Sequence, residues 1–170
     1  MGAITYATGT PLTWKAADGT YAITLTSLAA GAARQGVKGD LGATRAMRWS
    51  CRVQLDFEVA PANGAPVEIW WSSSSSATAA TDNTGAASGA DAAYTGSAGG
   101  ALAATKLQLQ LIGVMPATAD ADDVLQIAEF PFYPLSRYGM PIVVNGTAQA
   151  FHDTAGNFVL TFTPLGESVA

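Results

Sequence analysis

The residues able to do chemistry in this chain are few and widely separated. His152 is the sole histidine and Cys51 the sole cysteine. His152-Asp153 supplies half of an acid–base arrangement, but its nucleophile would have to be a distant serine, and no Gly-x-Ser-x-Gly elbow is present. The pair reads more simply as a loop histidine beside the turn Asp153-Thr-Ala-Gly156. Asp56 and Glu58 fall on one face of a strand pattern, about 7 Å apart from the rise per residue. Glycosidases place two carboxylates at such separations. Arg48 and Arg52 share that face, however, so a solvated or intersubunit ion-pair surface is the better reading.

Metal chemistry finds little support. One His and one Cys do not supply the three or four Cys, His or carboxylate ligands of a zinc site. Asp120, Asp122 and Asp123 lack the ligand spacing and central glycine of an EF-hand loop and read as an acidic turn. Gly99-Gly100 has no following Lys-Ser/Thr and is not a phosphate loop. Cys51 sits on an apolar strand face as a small core residue. The expectation is a chain that is not an enzyme, with no catalytic residue, no metal and no cofactor.

Trp70 and Trp71 could stack on a sugar. In a strand, though, neighbours point to opposite faces, so one of the two must turn inward and the other is left for a subunit contact. Trp70, Tyr94, Arg48 and Arg52 are therefore the candidate partner contacts.

Charge narrows the partners. The formal net charge is −5, against the basic stripe of a nucleic-acid binder. Arg34, Lys38, Arg45, Arg48 and Arg52 cluster early, whereas Asp120, Asp122, Asp123 and Glu129 gather late, an asymmetry that reads first as ordinary solvated loops and strand faces and second as a means of head-to-tail or subunit contact. Only 12% of residues are charged, about half the usual share. Ala, Ser, Thr and Gly replace them, and a surface of that kind is poorly protected against association. No window approaches the ~20 apolar residues of a membrane span, and Met1 to Thr5 shows no leader pattern, so a soluble protein assembled in a cytoplasm is expected.

The elements that must carry these residues read as strands. From Met47 to Val59 the odd positions are Met, Trp, Cys, Val, Leu, Phe and Val, and the even ones are polar or charged. Unbroken alternation of this length predicts one long strand with a single inside face. Pro61-Ala-Asn-Gly64 is a turn cluster, and Val67, Ile69 and Trp71 resume the pattern. Tyr21 to Leu28, Lys106 to Val114, Val124 to Phe130, Met140 to Asn145 and Phe158 to Thr163 follow suit, with no helical stripe anywhere. The prediction is one domain over 1–170: an all-β antiparallel sandwich, jelly-roll-like, with an N-terminal arm over 1–11. The tract Ser72 to Ala104 is almost wholly small residues and predicts a long insertion loop, mobile until a partner covers it.

Four stretches carry a resemblance. They are Pro66-Val-Glu-Ile-Trp-Trp-Ser-Ser73, Ser88-Gly-Ala-Asp-Ala-Ala-Tyr-Thr-Gly96, Leu107-Gln-Leu-Gln-Leu-Ile-Gly-Val114, and Ser136-Arg-Tyr-Gly-Met-Pro-Ile-Val-Val-Asn145. Together they resemble small virion proteins of tailed bacteriophages, most of all capsid decoration (cement) proteins. The resemblance implies a structural component on the capsid surface. Its partners would be the major capsid protein and copies of itself, as a homotrimer, with no direct nucleic-acid or membrane contact. A tail or fibre component and a carbohydrate-binding module are the alternatives.

Overall fold

The computed structural model describes residues 4–44, 46–96, 102–120 and 124–169. The strands in chain order are β1 (Ile4–Thr8), β2 (Leu12–Lys15), β3 (Tyr21–Ala22), β4 (Ala33–Gln35), β5 (Gly39–Asp40), β6 (Arg48–Leu55), β7 (Pro66–Ser74), β8 (Ala92–Ala93), β9 (Gln110–Pro116), β10 (Gln126–Phe132), β11 (Tyr138–Asn145) and β12 (Val159–Val169). They form two sheets. The first runs β10-β6-β12-β2-β3, with β1 also on β12, and the second runs β8-β4-β11-β7-β9, with β5 also on β11. Every pairing is antiparallel except β2 with β3. The all-β sandwich expected from the alternating patterns is the observed architecture.

The core lies between the sheets because one face of each long strand is apolar. Trp49, Cys51, Val53 and Leu55 of β6 meet Val67, Ile69 and Trp71 of β7, with Leu160 and Phe162 from β12. Trp71 packs 4.9 Å from Phe132 and 5.2 Å from Phe162, and Trp14 stands edge-on to Trp71 at 5.7 Å. Tilted and edge-to-face pairs of this kind add about 0.5–1.5 kcal/mol each beyond burial. The Trp14 indole also donates to the Val37 carbonyl at 2.8 Å, which satisfies its one polar atom.

The alternation from Met47 to Val59 overstates the strand. Pairing stops at Arg48 and Leu55, and both terminal apolar residues are exposed. Asp56 leaves the polar face altogether. It is fully buried, accepts the Phe57 amide at 2.7 Å and the Asn157 side-chain amide at 2.9 Å, and helps turn the chain. The Lys106 to Val114 strand also starts later than its sequence suggests. Residues 106–108 form a 3-10 turn, and a register shift opposite Ile69 and Trp70 sets Leu111 and Val114 on the outward face. An extra residue in one strand breaks the period of two, which no local alternation can report.

Two expectations about loops are corrected. The described residues of the tract over 72–104 are not a structureless insertion: β7 continues through Ser74, Ala92–Ala93 add to the edge of the second sheet as β8, and Ala87 and Tyr94 cover its outer face. There Ala87 and Tyr94 join Ala33, Leu109, Met140, Ile142 and Val144 in a second apolar cluster. β11 is consequently buried on both faces. Small side chains suit a segment that must lie flat on a sheet. Gly85, at φ +66°, is one point where this is obligatory, since a Cβ there would stand 2.4 Å from Leu109. The N-terminal arm is corrected too. Residues 4–8 are β1, paired from Ile4 opposite Val169 to Thr8 opposite Leu165, while residues 1–3 lie outside the described residues.

Candidate functional site: an apolar groove beside a two-stranded ribbon

The strands of the first sheet do not end together. β6 stops where Arg48 lies opposite Leu165, whereas β12 continues to Val169. Leu165 is paired with Arg48 on one side and Thr8 on the other, so β1 and β6 flank β12 on opposite edges. Beyond Leu165 only β1 accompanies β12. The two strands continue as a two-stranded ribbon whose Gly166 shares a groove with Leu41, Gly42, Thr44 and Ala46, and among the described residues no strand occupies the β6 side of 166–169.

Where β6 gives out, apolar side chains face solvent. Met47 is 86% exposed, Leu135 72% and Tyr133 50%. Met47, Tyr133, Leu165 and Gly166 line a groove of about 510 Å3 with Ala46 and Arg48 at its edge, and Met47, Tyr133, Pro134 and Leu135 line a second of about 430 Å3. Single exposed apolar residues are ordinary, but a cluster sharing two grooves marks a contact surface. Pattern reading put Met47 inside, so this surface was missed. Its signal was present only as Tyr133-Pro-Leu135, an apolar run interrupted by proline after a strand.

The sequence-based contacts divide. Arg48 is exposed and borders the groove. Arg52 stands on the outward face of β6 between Glu129 of β10 and Thr161 of β12, further along β6 than Arg48 and outside the groove lining. Tyr94 is no surface contact. It is buried, its hydroxyl donates to the Gly85 carbonyl at 2.6 Å, and burial pushes the phenol's pKa up. Trp71 is the inward member of its pair and Trp70 the outer one, but Trp70 is not a bare platform. Its indole donates to Glu68 at 2.8 Å, and the Lys106 ammonium sits 5.7 Å from the ring centroid while pairing with Glu68 at 2.7 Å.

The structure also joins groups that are distant in sequence. Glu58, His152 and Asp153 bring potential ligand atoms within 4.8 Å of one another. The His152 Nδ1 accepts the Thr154 amide at 3.0 Å, so a neutral ring carries its proton on Nε2. Nε2 is 3.8 Å from Glu58, and Nδ1 also lies 3.3 Å from the Asp153 carboxylate. Asp122, Asp123, Arg45, Gly99 and Gly100 lie outside the described residues. Cys51 is buried in the main core, and that burial, with Glu129 adding to it, raises its thiol pKa far above the reactive range.

Compared with known proteins, the chain matches no family model and no curated sequence.

Proposed function

We propose that this chain is a non-catalytic virion structural protein that decorates a phage head shell, binding the major capsid protein and copies of itself. The observation that carries the reading is the exposed group Met47, Tyr133 and Leu135 beside the β1–β12 ribbon. A body packed as two sheets, with a third layer of small residues on one of them, offers this surface from a rigid support. Rigidity limits the entropy lost on contact. Many modest contacts repeated over a shell then add through multivalency, so no single copy has to bind tightly. The sequence resemblance points the same way, and on this reading the sandwich is wound like a jelly roll and assembles as a homotrimer on a three-fold position. The physical task is to bridge neighbouring shell subunits against the pressure of packaged DNA.

The carbohydrate-binding alternative is weakened by Trp70, whose ring is already engaged by Lys106 and Glu68. Net charge of −5 and a mixed surface give no track for nucleic acid. The deciding experiment is the copy number of this chain in purified particles, together with its position by labelling. Many copies on the head are expected, with lower resistance of the head to heat in particles lacking the chain. A handful of copies at the tail, or unchanged heat resistance without it, would overturn the decoration reading.

A further inference from the structure

The ribbon poses a physical problem that the isolated chain does not solve. A two-stranded antiparallel ribbon is marginally stable in water by itself. Among the described residues it has two unpaired edges: the outer edge of β1, and the β6-facing edge of β12 over 166–169. Open edges invite strand addition unless something blunts them. At the other sheet edges such devices are present: β9 carries the register shift opposite Ile69 and Trp70 and ends at Pro116. β10 carries Glu129 and Pro131, and β3 and β8 are only two residues long. The ribbon has none of these devices in β1, which reads Ile-Thr-Tyr-Ala-Thr.

We propose that the ribbons of three copies pair head to tail, the outer edge of β1 from one copy adding to the open β12 edge of the next, and close into a six-stranded antiparallel barrel on a three-fold axis. This rests on the assembly reading above and gives it a contact. The strand directions permit it. β1 and β12 are antiparallel within a copy, and rotation about an axis along the ribbon preserves each direction. Every β1 therefore meets a neighbouring β12 antiparallel. A two-fold contact of β12 with β12 would leave both β1 edges open, whereas head-to-tail closure leaves none. Five-stranded OB barrels show that six strands suffice to close.

The same arrangement explains the groove. β1 runs back toward the sandwich as β12 runs away from it, so the base of the incoming β1 arrives beside Leu165. The next three residues, Gly9, Thr10 and Pro11, are exposed and would come over Met47 and Tyr133 of the neighbour. One contact thus covers the open β12 edge and the apolar patch beside it.

The test combines mass measurement by sedimentation with residue-resolved hydrogen exchange on the full chain. Trimers are expected, with slow exchange at every amide of 5–8 and 166–169. Met47→Lys and Leu135→Lys should weaken association about tenfold or more, as loss of a central contact does. Val59→Lys, beyond the opposite end of β6, should leave it unchanged. A monomer or dimer at micromolar concentration would overturn the proposal. So would a trimer whose outward amides in 5–8 and 166–169 exchange freely. Association through a surface insensitive to Met47→Lys and Leu135→Lys would overturn the groove's part in it. Particle labelling separates the two readings. Trimers absent from particles sink only the decoration role, and monomers bound to heads sink only the barrel.

Discussion

The Lys38 ammonium lies 2.6 Å from the carbonyl oxygen of Thr78, forty residues further along the chain. It also reaches the carbonyls of Ser76 at 3.0 Å and Thr81 at 2.9 Å and the Ser74 hydroxyl at 2.8 Å. A single nearly buried cation thus gathers the backbone of the serine-rich turn as a bound metal ion would. Burial lowers the lysine's pKa, with Asp82 opposing that shift. Lys38→Met should remove the ammonium from the turn, leaving its carbonyls only the Ser74 hydroxyl and the Thr81 amide as donors, and cost on the order of 2–4 kcal/mol. Chemical denaturation gives the total, and faster amide exchange confined to 74–82 would mark the cause.

Phe57 and Gln54 test the main core. Phe57 is fully buried, 5.3 Å from Phe151 in an edge-on pair, while Gln54 points away from the core. Phe57→Ala should cost about 3–5 kcal/mol and Gln54→Ala well under 1 kcal/mol. Equal losses in urea unfolding would contradict the placement.

Asp91 predicts an acid limb. Burial raises its pKa, but Arg34 at 2.7 Å and two hydrogen bonds from Thr24 outweigh this and hold the carboxyl below the usual range. Its folded pKa is therefore below its unfolded one. The stabilisation is present above the unfolded value and disappears as pH falls through the folded value. The melting temperature should drop on acidification below about pH 4, and Asp91→Asn should flatten part of that fall. A variant with the wild-type pH profile would show that this pair contributes nothing.

Cys51 predicts chemical silence. The thiol is buried and its pKa raised, so a thiol reagent should modify native protein only as fast as the sheet opens. Labelling at the rate of a free thiol at neutral pH would place Cys51 at the surface.

Much of the sandwich was legible because its long strands alternate strictly. Trp49, Cys51, Val53 and Leu55 could be assigned inward from period two alone, as could Val67, Ile69 and Trp71. The misreadings have a common origin. Met47 and Val59 continue the alternation of β6 past the point where a neighbour exists to pair with it. Tyr94 read as a partner contact because nothing near it in sequence is large. Its companions Met140 and Ile142 come from β11, some forty-five residues on.

What the sequence determined by itself is the local periodicity and composition: an all-β chain, its inward faces, its low charge and its single His and single Cys. Period and composition are properties of neighbouring residues, so they survive without coordinates. Only the tertiary structure decided that the small-residue tract is a third layer, that Lys38 ties it down, and that β12 outruns β6 beside an apolar groove. Each of these depends on which distant segment lies alongside. That is set by where one strand stops relative to another, a quantity encoded in no single stretch of the chain.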